Sequence, residues 1–128
     1  MQNTKMVIAV RKDLSMRKGK FASQVANATF QFLIHNNESE RADEMHVKLS
    51  HEEVTWLTGG MGRIIATVDS ENALQDLTLK AELHGIPVYP VYDNRVTLEK
   101  ERIMTCAAFG PAEGEELAII MSKLKIVQ

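Results

Sequence analysis

Four polar side chains share one line of a helical segment. Lys20, Gln24, Asn27 and Gln31 recur at spacings of four, three and four, which places them on a single stripe. The segment just before and at its start is basic: Arg11, Lys12, Arg17, Lys18 and Lys20 are five of the chain's 15 lysines and arginines, gathered within ten positions. Cations at a helix N-terminus oppose the macrodipole. A bound anion there relieves the conflict, because free backbone N–H groups and lysines converge on it. Without an anion the same pattern is a solvated face with incidental lysines. A second place for chemistry is Tyr92-Asp93-Asn94-Arg95-Val96-Thr97. It follows one strand and precedes another, where α/β proteins set their working loops, although Asp93 and Asn94 are also ordinary turn residues.

Other chemistries find little support. Gly19, between Lys18 and Lys20, lacks the GxxxxGK[ST] spacing of a phosphate-binding loop. His46 and His51 are five apart, not the spacing of a helical metal pair, so the four histidines read as surface or loop residues and no metal site is expected. Cys106 lies mid-strand among apolar residues, which suits a buried thiol better than a nucleophile. Trp56 reads as core or as a lid over it, and no Gly-x-Ser-x-Gly elbow exists.

Composition bounds the setting of these residues. The chain of 128 residues is expected to form one domain, 1–128. With 45% hydrophobic and 25% charged residues it is neither disordered, collagen-like nor a coiled coil. Its apolar runs are too short to span a bilayer, so no membrane partner is expected, and no signal-peptide core fits before Arg11 and Lys12. One cysteine cannot form an intramolecular disulfide, which points to a reducing, cytoplasmic setting. The net charge of −2 does not by itself announce a nucleic-acid binder. A concentrated basic pole, opposed by acidic residues between 38 and 53, can still capture a polyanion locally.

The positioning elements follow from periodicity. Residues 6–10 (Met-Val-Ile-Ala-Val) predict a central strand covered on both faces. Phe21, Val25, Ala28 and Phe32 mark the apolar side of a helix over 18–34. Residues 35–49 read as a long polar loop or poorly ordered excursion. Ser50 with Glu53 is a capping box, opening a short helix that Gly59-Gly60 ends. A strand over 63–68 and a helix capped by Asp69 or Ser70 and stopped at Gly85 come next. The prolines of 86–92 set that strand near a sheet edge. A strand over 103–109, closed by Gly110-Pro111, precedes a helix over 113–122 and a terminal strand within 124–127. The expected fold is a three-layer α/β/α sandwich around a single mixed sheet of four or five strands.

These segments together resemble the type-II peptidyl-tRNA hydrolase family, the class typical of archaea and eukaryotes. The resemblance is carried by Lys5-Met6-Val7-Ile8-Ala9-Val10-Arg11-Lys12-Asp13-Leu14, by Met16-Arg17-Lys18-Gly19-Lys20 and by Ala22-Ser23-Gln24-Val25-Ala26. It continues in Gly85, in Asp93 with Thr97 four residues on, and in Phe109-Gly110-Pro111, leaving out only residues 35–61. The resemblance implies hydrolysis of the ester joining a peptide to the 3′ ribose of its tRNA, without metal or cofactor. The family's active-site positions fall on Lys20, Gln24, Asp93 and Thr97. Asp93 would orient or deprotonate water, Lys20 stabilise the oxyanion or keep Asp93 ionised, and Gln24 and Thr97 position substrate. Arg11, Arg17, Lys18, Asn27 and Arg95 are the expected substrate contacts, tRNA the expected partner, and a homodimer is allowed.

The chain also departs from the family pattern. Asn27 stands where the family carries His, and Tyr92 replaces a Gln. Asn94-Arg95-Val96 replaces the small Ala-Gly before Arg-Thr-Gln, and Leu98 replaces the Gln after Thr97. Two other readings therefore stay open on sequence: a tRNA- or protein-binding domain with lapsed catalysis, and a hydrolase of a different ester or amide.

Overall fold

The run expected as a central strand is β1 (Thr4–Arg11) in the computed structural model, which describes residues 3–93 and 102–128. The chain continues through α1 (Lys18–His35), α2 (His51–Thr58), β2 (Arg63–Val68), α3 (Glu71–Leu83), β3 (Val88–Asp93), β4 (Ile103–Glu113), α4 (Gly114–Met121) and β5 (Lys125–Ile126). The strands form one five-stranded sheet in the order β3-β4-β1-β2-β5. It is mixed: β1 and β2 run parallel, and the other neighbours pair antiparallel.

Alternation along β1 divides the apolar side chains between two cores. Val7 and Ala9 pack with Leu74, Leu77 and Ala81 of α3 and with Leu117 and Ile120 of α4. Met6, Ile8 and Val10 pack on the other face with Ala28 and Phe32 of α1 and Trp56 of α2. Burial of both faces is why β1 carries no polar alternation. The result is the expected three layers. Trp56 belongs to the core: its ring meets Phe32 edge-on at 5.8 Å, and its Nε1 donates to Gly62 O at 2.8 Å.

One expectation needs correction. Gly110-Pro111 does not close β4. Gly110 and Pro111 together face Met6, at a shift in the β1–β4 register between Lys5 and Val7, and pairing resumes at Lys5–Ala112 and Thr4–Glu113. A bulge is where a central strand tolerates a proline, which has no N–H to give its partner. Gly110 is required there. Its φ is +103°, and a Cβ would lie 2.8 Å from Lys5 O. After His35, which ends α1, the stretch to residue 49 forms the expected long loop, with no helix or strand element, and it is pinned by contacts of its own. Asn37 and Val47 form a bridge, and Asn37 Oδ1 accepts from the backbone N–H of Ser39 and His46.

Glu53 joins this loop to the helices on either side. Its carboxylate accepts from Ser50 N at 2.8 Å, completing the capping box of α2, and from Asn36 Nδ2 at 3.0 Å at the end of α1. The carboxylate is largely buried, so both contacts count. Glu53→Ala leaves the Asn36 amide and the Ser50 N–H without their acceptor and is expected to lower unfolding free energy by ~1–3 kcal/mol. Urea unfolding followed by far-UV circular dichroism checks this; an unchanged midpoint would show that the carboxylate does not hold the two helices together.

Candidate active site

α1 begins without the usual aids. Arg17 is its N-cap in extended conformation with no side-chain cap, and its first turn holds no acidic residue. Lys18 and Lys20 occupy that turn instead, and Arg17, Lys18 and Lys20 are all exposed. The acidic group comes from another element. Asp93, the last residue of β3, places Oδ2 3.5 Å from Lys20 Nζ, with side chains 19% and 41% exposed respectively. The pair therefore meets at the surface of a cleft between the helix start and an edge strand. Beside it lies a recess of about 10 Å³ lined by Leu14, Met16, Asp93, Ile103 and Thr105, the scale of one water molecule.

Gln24 does not share the exposed face expected of the stripe. It is 6% exposed and turned toward β4. Thr105 Oγ1 donates to Gln24 Oε1 and lies 3.3 Å from Val91 O, while Cys106 Sγ donates to Gln24 O at 3.6 Å. Two adjacent β4 residues reach the same helix residue because the strand bulges. Val91 pairs with Cys106 but Tyr92 with Met104, leaving Thr105 as the extra residue. Strict alternation would send Thr105 to the opposite face from Cys106, which is why sequence reading passed it over. The apolar surroundings push the Cys106 thiol up to about 11, with a smaller opposing effect from Thr105, so the thiol remains protonated at neutral pH.

Arg11 is turned inward rather than toward solvent. Its guanidinium bonds Asp13 at 2.6 and 3.0 Å, donates to Met104 O at 3.1 Å and lies 3.4 Å from Glu71 Oε2. Glu71 Oε2 also accepts from Met104 N at 3.0 Å. The hydrogen bond that Arg11 donates to Asp13 raises the Arg11 pKa, and the same bond, the largest influence on Asp13, lowers that of the carboxylate. With four N–H groups directed at two carboxylates and a carbonyl, Arg11 serves as a clamp on the bulged strand. Asn27 is exposed further along α1, and Gln31 Nε2 donates to its carbonyl at 3.1 Å. Thr97 and Arg95 lie outside the described residues. The structure thus brings Lys20 and Asp93 together, sets Gln24 behind them, and leaves Arg17 and Lys18 on the rim.

The family described as Peptidyl-tRNA hydrolase PTH2 matches residues 4–127. The chain belongs to this family. A peptidyl-tRNA hydrolase from Thermoplasma acidophilum is 34% identical over 123 residues, covering 96% of this chain and 97% of that protein. Another, from Methanocaldococcus jannaschii, is 32% identical over 125 residues, covering 96% and 99%. A solved structure of a protein of unknown function from Agrobacterium tumefaciens superposes with a TM-score of 0.63 at 11% identity over the whole of both chains, which shows a shared fold alone. The peptidyl-tRNA hydrolase match takes in α1, the end of β3 and the β4 bulge within one continuous span. Among the described residues, no helix is long and apolar enough to cross a membrane.

The bulge contact can be tested in this family member. Thr105→Val keeps the shape but leaves buried Gln24 Oε1 with only the weak Cys106 thiol donor at 3.9 Å, an expected loss of ~1–3 kcal/mol in unfolding free energy. Thr105→Ser should recover most of it. Equal stability of the Val and Ser variants in guanidinium unfolding would mean that the hydroxyl is not what holds Gln24.

Proposed function

We propose that this protein hydrolyses the ester bond of peptidyl-tRNA, releasing the peptide and free tRNA. The observation that carries this reading is the family match across residues 4–127, supported by a lysine–aspartate pair 3.5 Å apart beside a recess of water size. Asp93 orients a water and accepts its proton as the water oxygen bonds to the ester carbonyl carbon. The carbonyl oxygen becomes an oxyanion, which the Lys20 ammonium stabilises. The bond from the carbonyl carbon to the 3′ ribose oxygen then breaks, and the ribose oxygen takes the proton. The products are a peptide carboxylic acid, which loses its proton to solvent to become the carboxylate, and a tRNA 3′-hydroxyl. Gln24, held by Thr105, and Thr97 position the substrate, with Arg95 and Asn27 as further contacts.

This chemistry needs no cofactor, since water is the nucleophile and an alkoxide leaving group has a proton source in Asp93. The exposed Arg17 and Lys18 hold phosphates of the tRNA 3′ end at the start of α1, where backbone N–H groups add to their field. Such work belongs to the compartment in which translation runs, the cytoplasm.

Lys20→Ala and Asp93→Asn are each expected to cost at least ~100-fold in turnover, the scale of losing an oxyanion donor or a general base. The assay is release of free tRNA from peptidyl-tRNA. Binding should persist in Asp93→Asn, which removes a negative charge near the phosphates. Wild-type release no faster than in buffer alone overturns the hydrolase reading. The tRNA affinity should also fall steeply with salt, and Arg17→Ala or Lys18→Ala should reduce the slope of log K against log salt by about 1. Binding insensitive to salt would remove these residues from the phosphate site.

A further inference from the structure

Beyond the Lys20–Asp93 pair α1 and β3 pack side by side, and the character of the seam between them changes. From 21 to 34 α1 carries not one charged residue, and neither do residues 88–92 of β3. α1 runs away from Asp93 toward the start of β3, so its last turn faces the first residues of that strand. There a second cavity of about 320 Å³ opens, lined by Gln31, Ile34, His35, Val88, Tyr89 and Pro90. His35 meets the Tyr89 ring edge-on at 5.5 Å, and Ile34 is exposed.

We infer that this cavity and the uncharged seam leading to it are the subsite for the peptide half of the substrate, a deduction that rests on the hydrolase reading above. The ester to be cut joins a polyanion to a chain that is largely neutral, and the cleft has matching halves. Arg17 and Lys18 lie on one side of the Lys20–Asp93 pair and the uncharged seam on the other. Phosphates gain nothing from the seam, whereas peptide groups suit it. Its exposed Asn27 and half-buried Gln31 offer amides to a peptide backbone, and Ile34, Val88 and Pro90 offer apolar surface to a side chain. The reach also fits. From Asp93 to Tyr89 is four residues of strand, ~13 Å at the usual rise, and an extended peptide covers that distance in about four residues. The cavity therefore receives the side chain about four residues back from the ester.

The test is hydrolysis of one tRNA charged either with a single N-acetylated amino acid or with a five-residue uncharged peptide ending in that amino acid. For wild type, kcat/KM should be ~10-fold or more higher for the longer substrate, the discrimination expected of one apolar pocket. Ile34→Asp, an exposed change that places a charge in the cavity, should bring the ratio of the two kcat/KM values close to one. Gln31→Glu, nearly isosteric, should move it the same way. Leu83→Asp, on α3 in the opposite layer and 86% exposed, should leave the ratio as in wild type. Turnover of both substrates with no length dependence, or a ratio unchanged by Ile34→Asp and Gln31→Glu, overturns the subsite while leaving the hydrolase standing. Absence of turnover with either substrate overturns both.

Discussion

A polar side chain shut away beneath a helix has to find a partner, and the site is arranged around how Gln24 finds one. Its carbonyl oxygen receives the Thr105 hydroxyl, which can reach it only because β4 carries an extra residue at that point. The bulge is in turn gripped from the far side: Met104 gives its N–H to Glu71 and receives Arg11 on its carbonyl. One chain of contacts thus runs from α3 through the sheet to α1. Past the bulge the last β3 pairs are Tyr92 with Met104 and Asp93 with Ile103, so the strand that carries the Asp93 carboxylate is paired to the gripped segment. Cutting the chain at the Met104 N–H leaves that donor without its acceptor, a cost larger than the gain from making such a bond.

The layered core explains why so short a helix–strand cleft keeps its shape. β1 is covered by neighbours on both edges and by helices on both faces, so the strands beside it have little freedom to shift. α1 is fastened at its far end by Asn36 to Glu53, and its middle rests on Phe32 and Ala28. Its first turn is comparatively open, ending in a cap with no side-chain bond. The most tightly held parts of the molecule therefore frame a rim of exposed lysine and arginine able to adapt to a large ligand.

Much of this was legible in the residues themselves. The β-branched run of β1, the Ser50–Glu53 capping box and the prolines that send β3 to an edge each act through neighbours in sequence, and each landed as expected. The pairing of Lys20 with Asp93 joins residues far apart in the chain, and came only from family resemblance. What stayed hidden depends on distant partners or broken periodicity. Arg11 looked like part of a basic patch because its clamp partner Glu71 is 60 residues away. Thr105 was hidden by the assumption of simple alternation, and the passage of β4 through Gly110-Pro111 by the usual meaning of that pair as a stop.

Pro90 sits in the middle of β3, an edge strand. A proline there interrupts the row of donors that an extended chain would need in order to add itself to the sheet. Any peptide lying along this edge is consequently held by its side chains and by a few amides rather than by a full ladder of backbone bonds. Such a grip is loose by construction. For a molecule that must release each severed peptide before taking the next, that looseness limits inhibition by its own product.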